Sequence, residues 1–116
     1  MEYLKELKQI YKAIDDKMGE NITIIDISKI SSLCDYFIIT NGNNVKQQDA
    51  IATNIKDELG KLNIIAMDSE GSGSDWTLLN YGFAFIHIFH KESRELYELE
   101  RLWSDGDFIN MEKLCQ

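Results

Sequence analysis

The stretch WTLLNYGFAFIHIF, residues 76–89, contains two apolar segments that are separated by a short turn sequence. Trp76–Leu79 and Phe83–Phe89 are rich in the aromatic and branched side chains that favour strands. Between them, Asn80-Tyr-Gly82 supplies residue types that are common in tight turns. We therefore predict a β-hairpin made of the fourth and fifth strands of the chain.

Two helices and three strands are predicted before this hairpin. The helices show apolar residues spaced three and four apart, and the first two strands are nearly continuously apolar, which indicates burial on both sides. The predicted elements are a helix over residues 3–18 that ends at Gly19, strands Ile22–Ile27 and Asp35–Thr40, a helix over residues 45–59 that is capped by Asn43 or Asn44 and ends at Gly60, and strand Ile64–Met67.

A last helix is predicted after the hairpin. Ser93 is its expected cap, and the residues expected to face the sheet are Leu96, Leu99, Leu102 and Trp103. The resulting order, α-β-β-α-β-β-β-α, predicts an α/β fold with a single mixed β-sheet of about five strands covered by helices. We expect one domain over residues 1–116, with a polar tail, residues 104–116, that is less ordered.

The balance of charged residues restricts the kind of partner. The chain has 20 acidic and 12 basic residues among 116, a formal net charge of −8. Affinity for a nucleic-acid backbone comes from Lys and Arg, so we expect no direct nucleic-acid binding and instead encounter with a basic protein. Two cysteines, no apolar run of about 20 residues and no signal-peptide pattern predict a reduced cytoplasmic protein without a membrane partner.

The glycine-rich loop before Trp76, DSEGSGSD over residues 68–75, does not fit a nucleotide site. A phosphate loop requires a lysine after its last glycine, but no Lys or Arg occurs from Leu62 to His90. Three acidic residues lie in the loop, yet the calcium-loop pattern is absent, as is the nucleophile pattern of serine hydrolases. We therefore expect no catalytic residue, no cofactor and no metal.

Trp76 allows two interpretations. A single tryptophan at the start of a strand often belongs to the core. Alternatively, it anchors a recognition surface together with Leu78 or Leu79 and Tyr81, because tryptophan and tyrosine are over-represented among interface hot spots. An acidic rim around such an anchor would speed docking onto a basic protein.

Eight short motifs follow one another along most of the chain. They are DIS (26–28), CDYFII (34–39), QDAIA (48–52), EG (70–71), DW (75–76), YG (81–82), IHIF (86–89) and RELYELERLW (94–103). Their order and spacing resemble the ribosomal silencing factor family, which includes bacterial RsfS and organelle relatives of plant Iojap. The match runs from about Ile22 to Trp103.

The resemblance implies a mixed-sheet α/β domain, similar in outline to nucleotidyltransferases but without their catalytic carboxylates, and a non-enzymatic role. Members of the family bind the basic ribosomal protein L-fourteen on the large ribosomal subunit. They thereby obstruct joining with the small subunit, which represses translation when nutrients are scarce. The positions that match the family's docking surface are Ser69, Glu70, Gly71, Asp75, Trp76, Leu78, Leu79 and Tyr81.

Two positions depart from the family pattern, which commonly has acidic residues where this chain has Asn80 and Phe83. Two other functions stay open. One is a metal-dependent nucleotidyltransferase, for which Asp26 is the candidate acid inside a predicted strand. The other is a homodimer formed in isolation through the same aromatic edge, which would compete with ribosome binding.

Overall fold

In the computed structural model, which describes residues 3–111, six strands form one mixed β-sheet. The elements are α1 (Leu4–Asp15), β1 (Glu20–Asp26), β2 (Tyr36–Gly42), α2 (Val45–Gly60), β3 (Asp68–Glu70), β4 (Trp76–Asn80), β5 (Ala84–His90), α3 (Lys91–Tyr97), α4 (Leu99–Leu102) and β6 (Asp107–Ile109). The strand order is β3-β4-β5-β2-β1-β6, in which β2 and β5 are parallel and the other neighbours are antiparallel. The predicted α/β fold with one mixed sheet is confirmed, with six strands rather than about five.

The two faces of the sheet are covered differently. One face packs against the apolar stripes of α1 and α2 and forms the larger hydrophobic cluster. The other face carries a smaller cluster around Phe37 and Phe89, against which Leu99 and Trp103 pack. All seven residues of β2 are buried, because alternate side chains of this central strand enter opposite clusters.

Two predictions of local structure are confirmed. The side chain of Asn44 accepts a hydrogen bond from the Gln47 N–H at 2.8 Å, so Asn44 is the cap of α2. β4 and β5 form the predicted antiparallel hairpin, in which Trp76 lies opposite Phe89. Gly82, with φ 82°, provides the left-handed residue of the connecting turn.

The predicted third strand is wrong. Residues 64–67 are not a strand, and Ile65 and Met67 are 82% and 75% exposed. β3 begins at Asp68 instead, inside the glycine-rich segment, and pairs antiparallel with β4. The apolar composition of residues 64–67 therefore does not reflect pairing in the sheet.

The first helix ends earlier than predicted. α1 ends at Asp15, and the left-handed residue that follows is Met18, with φ 62°, rather than Gly19. Gly19 is required for another reason, because a Cβ atom there would lie 2.3 Å from Cγ2 of Ile14. The glycine thus permits close approach of the chain to the helix.

The predicted last helix is divided into two short helices. His90, rather than Ser93, caps α3, since its Nδ1 accepts a hydrogen bond from the Glu92 N–H at 3.3 Å. Glu98, with φ 49°, separates α3 from α4 because a residue in the left-handed conformation cannot continue a helix.

The side chains of this region only partly follow the prediction. Leu99 and Trp103 pack on the sheet as predicted, whereas Leu102 is 73% exposed. The prediction for Leu96 concerns a side chain outside the described part of the structure. The described part of the predicted tail, residues 104–111, is more regular than its polar composition indicates, because β6 pairs antiparallel with β1. Residues 112–116 of the predicted tail lie outside the described residues.

Candidate protein-docking surface

The strand register places eight side chains from β3, β4 and β5 on one face of the sheet, and two of them, His87 and Phe89, are buried. Trp76 lies opposite Phe89 in the β4–β5 pair, and Glu70 lies opposite Leu78 in the β3–β4 pair. Directly opposed residues share a face, and every second residue along a strand returns to it. We call this surface the open face and define it by the six that are not buried: Asp68, Glu70, Trp76, Leu78, Asn80 and Phe85.

The open face lies opposite the face covered by α1 and α2. On its own side of the sheet, Trp103 packs against Phe37 of β2, with ring centroids 5.0 Å apart. The large apolar side chains of the open face are only partly buried, and its two carboxylates on β3 are exposed. The result is an apolar strip along β4 and β5 with an acidic margin at the edge of the sheet.

Trp76 is held in a defined orientation at one end of this strip. Its Nε1–H donates a hydrogen bond to Nδ1 of His87 at 3.1 Å. Its ring lies 4.9 Å from that of Phe89 and 4.8 Å from that of Tyr97, measured between centroids. Trp76 therefore belongs both to the smaller hydrophobic cluster and to the open face, so the two interpretations offered by the sequence are not exclusive.

His87 is buried beneath this surface in its neutral form. Burial lowers the pKa of its imidazole from 6.5 to about 4. Because Nδ1 accepts the indole N–H, the proton of the neutral ring lies on Nε2. Nε2 is buried and has no hydrogen-bond partner among residues 3–111.

Hydrogen bonds fix the glycine-rich loop beside Trp76. Ser74 Oγ donates to the Gly71 carbonyl at 2.6 Å, and Gln48 Nε2 of α2 donates to the Ser74 carbonyl at 3.0 Å. Gly71 has φ 81°, and a Cβ atom there would lie 2.0 Å from the Trp76 carbonyl oxygen. No other residue type fits this close approach, which sets the path of the chain into β4.

Two residues predicted for the docking surface lie elsewhere. Leu79 is fully buried, and Tyr81 is nearly so, in the cluster beneath α1 and α2. Leu79 follows Leu78 directly in a strand, so it points to the opposite face. Burial raises the pKa of the Tyr81 phenol to about 12, and its oxygen is unpaired within the described residues. These two side chains support the sheet from behind and are not available to a partner.

The other predicted residues are distributed around the open face. Glu70, Trp76 and Leu78 belong to it, and Asp75 is exposed immediately before Trp76. Gly71 shapes the loop, whereas the alternation along β3 directs Ser69 to the other side.

Sequence reasoning missed Asp68, Asn80 and Phe85 as members of the open face, and Tyr97 as the neighbour of Trp76. The first three share the alternation of Trp76 and Leu78, so strand register was the signal that would have found them. Asn80 also has a structural role, because its Oδ1 accepts a hydrogen bond from the Gly82 N–H at 2.8 Å.

Asp26, the candidate acid for nucleotidyl transfer, is engaged in a turn at the end of β1. Its Oδ1 accepts hydrogen bonds from the backbone N–H and the hydroxyl of Ser28, at 2.9 and 2.6 Å. Across residues 3–111, no three His, Cys, Asp or Glu side chains are grouped so that they could hold a metal ion. Within the same range, none of the helices has the length and apolar character needed to cross a membrane.

Comparisons with known proteins point to one family. The model of the family described as "Ribosomal silencing factor during starvation" matches residues 1–116. A Bacillus subtilis protein named ribosomal silencing factor RsfS is 39% identical over 107 residues, which cover 91% of each chain.

Solved structures agree with this match. A crystal structure of a Chromobacterium violaceum protein is similar with a TM-score of 0.85 and 28% identity, and the match covers 90% of this chain and 88% of the other. A crystal structure from Bacillus halodurans is similar with a TM-score of 0.80 and 33% identity, covering 91% and 97% of the two chains. This chain therefore belongs to the ribosomal silencing factor family.

Proposed function

We propose that this protein binds ribosomal protein L-fourteen on the large ribosomal subunit through the open face and blocks joining with the small subunit. It would thereby repress translation in the cytoplasm when nutrients are limited. The observation that carries the proposal is the half-buried apolar strip on β4 and β5, which lies on the face away from α1 and α2 and is bordered by carboxylates.

The chemistry of the open face supports a protein partner that is basic. Stable interfaces combine an apolar centre with a polar rim, and their hot spots are enriched in tryptophan and tyrosine. Trp76, Leu78 and Phe85 supply the apolar centre, and Asp68 and Glu70 supply the rim. A rim of one sign favours a partner of the opposite sign and accelerates encounter.

The proposed mechanism is steric exclusion rather than catalysis. A factor bound where the two subunits meet occupies volume that the small subunit needs, so no chemical step is required. The names of the relatives support a regulatory role of this kind, since they are called ribosomal silencing factors.

The proposal can be tested by sedimentation with separated ribosomal subunits. Purified protein is incubated with large subunits, small subunits are added last, and the gradient is analysed for protein and for whole ribosomes. We expect the protein to migrate with large subunits and the yield of whole ribosomes to fall. Protein that stays at the top of the gradient, with normal subunit joining, would refute the proposal.

Trp76→Ala tests whether the open face is the docking surface. We expect it to weaken binding to large subunits by about 30-fold or more, the effect of losing a hot spot worth about 2 kcal/mol. Leu33→Ala is the matched control, because Leu33 is an exposed apolar residue in the β1–β2 loop, off the open face. Cooperative thermal unfolding must be retained in both variants. Equal binding by the two variants would exclude the open face as the interface.

A further inference from the structure

We propose that Trp76 and Tyr97 together form a binding site for one arginine side chain of the protein partner. This inference rests on the proposed function and adds to it the chemistry of one contact. It also adds a docking residue on α3 that lies outside the sheet.

The site is formed where the end of α3 meets the start of β4. Tyr97 is the last residue of α3, and its ring lies 4.8 Å from that of Trp76 at an interplanar angle of 45°. The same ring lies 5.8 Å from that of Phe89, which is fully buried beneath. Tyr97 is nevertheless 50% exposed, so a substantial part of its ring remains accessible beside the indole.

Because its N–H is already hydrogen-bonded within the protein, the indole of Trp76 can contact a partner mainly through the surface of its ring. The Trp76 N–H already donates to buried His87 and is not available to a partner. A partner group that approaches Trp76 therefore meets a π surface, which attracts cations as well as apolar groups.

The surrounding charge favours a cation over an apolar group. Asp75, which is exposed, directly precedes Trp76, and no Lys or Arg occurs between Leu62 and His90. Of the basic residues on α3 and α4, Arg94 bonds Glu100 and Arg101 bonds Glu98 in an exposed pair, whereas the charge of Lys91 at the start of α3 is offset by Glu92 and Glu95 of the same helix. A cation from the partner would therefore find an acidic aromatic site.

Arginine fits this site better than lysine. The guanidinium is planar, is less strongly hydrated than an ammonium group and stacks on aromatic rings while its edge donates hydrogen bonds. Stacking on the Trp76–Tyr97 pair would leave those donors free for a carboxylate such as that of Asp75.

Tyr97→Leu and Tyr97→Phe form the first test, with affinity for purified large subunits as the readout. Tyr97→Phe keeps the ring and should change the dissociation constant by less than about twofold. Tyr97→Leu keeps apolar volume but removes the π surface, and should weaken binding about tenfold. Equal affinities of wild type and Tyr97→Leu, with Trp76→Ala still impaired, would overturn the arginine site alone. Failure of the wild-type protein to bind would overturn the proposed function together with it.

A double-mutant cycle with isolated L-fourteen is the second test. Each arginine of that protein is changed to glutamine and to lysine and measured against wild type and Tyr97→Leu. We expect one arginine whose change to glutamine weakens binding to wild type about tenfold but hardly affects Tyr97→Leu, with lysine only partly restoring affinity. Additive losses at every arginine, or full restoration by lysine at the coupled position, would contradict guanidinium stacking.

Discussion

Among single residues, His87 couples the stability of the sheet to the orientation of Trp76. Its imidazole is buried, accepts the indole N–H and lies between aromatic rings, with the Phe37 centroid 4.8 Å away. Protonation would remove the acceptor at Nδ1 and place a positive charge in the smaller hydrophobic cluster. Burial therefore lowers the pKa to about 4 in the folded state, against 6.5 in an unfolded chain.

We expect the free energy of unfolding to decrease as pH falls from 6.5 to 4. In that range the unfolded chain binds a proton at His87 and the folded protein does not, so acid favours unfolding. The contribution of His87 is fully present above pH 6.5 and is lost progressively below it, by up to about 3 kcal/mol. Urea unfolding at several pH values measures this dependence.

The control separates His87 from the carboxylates, which also titrate in acid. His87→Asn retains a hydrogen-bond acceptor but has no proton to bind, so its stability should vary less between pH 6.5 and 4 than that of wild type. The second control is His90→Asn, which removes the other histidine of the chain and keeps a residue type that can cap α3. If His87→Asn showed the same pH dependence as wild type, the assignment to His87 would be wrong.

Residue-level features of the site show where prediction from sequence stops. The type of Trp76 and its position after a glycine-rich loop predict a docking role, and this role stays a prediction. Leu78 and Leu79 are equivalent by composition, and only the pairing of β4 with β3 and β5 separates the partly buried Leu78 from the fully buried Leu79. Tyr97 was missed because its approach to Trp76 depends on how α3 packs on the sheet, a long-range contact that leaves no local signal.

Among the structural elements, Arg94 connects the divided last helix to β1 and β2, whose register shifts between Glu20 and Thr23. Its Nε donates to Glu100 Oε1 at 2.7 Å, and its Nη2 donates to Thr23 Oγ1 at 2.8 Å. Its Nη1 donates to Asn41 Oδ1 at 2.9 Å and to the Asn21 carbonyl. One largely buried guanidinium thus holds α3, α4, β1 and β2 together, which also positions Tyr97.

Arg94→Met should destabilise the protein by about 2–3 kcal/mol, because several acceptors lose their donor at a site that is largely closed to water. The measurement is urea unfolding at neutral pH. Arg101→Met is the matched control, since the Arg101–Glu98 pair is solvent-exposed and should contribute less than about 1 kcal/mol. Equal effects of the two substitutions would show that the Arg94 contacts do not stabilise the fold.

Long periodic elements were predicted well, and short edge elements were not. α2 and the β4–β5 hairpin have many residues that follow one pattern and clear caps or turn residues, so local sequence determines them. β3 and β6 have three residues each, with the sequences DSE and DFI, and lie at the two edges of the sheet. Pairing with a neighbouring strand, rather than their own composition, makes them strands.

For the whole molecule, the sheet separates two surfaces that differ in burial and charge. The face beneath α1 and α2 holds the larger cluster and supplies most of the buried core, whereas the open face exposes apolar side chains beside carboxylates. The net charge of −8 acts on any approaching partner, but at physiological salt charges are screened beyond roughly 8 Å. Local carboxylates such as Glu70 should therefore influence docking more than distant ones.

Glu70→Lys should slow association with large subunits about three- to tenfold at low salt, while dissociation changes less, because an exposed rim charge acts mainly on encounter. The difference from wild type should shrink as salt is raised. Association and dissociation rates can be measured with immobilised large subunits at several salt concentrations.

Asp57→Lys provides the comparison that separates local from global charge. It alters the net charge by the same amount, but Asp57 is exposed on α2, which packs against the opposite face of the sheet. We expect its association rate to stay within about twofold of wild type, since α2 and the sheet lie between Asp57 and the open face and salt screens charges beyond roughly 8 Å. Equal slowing by both variants would mean that net charge alone steers the protein. A loss confined to the dissociation rate of Glu70→Lys would place Glu70 in the interface centre rather than at its rim.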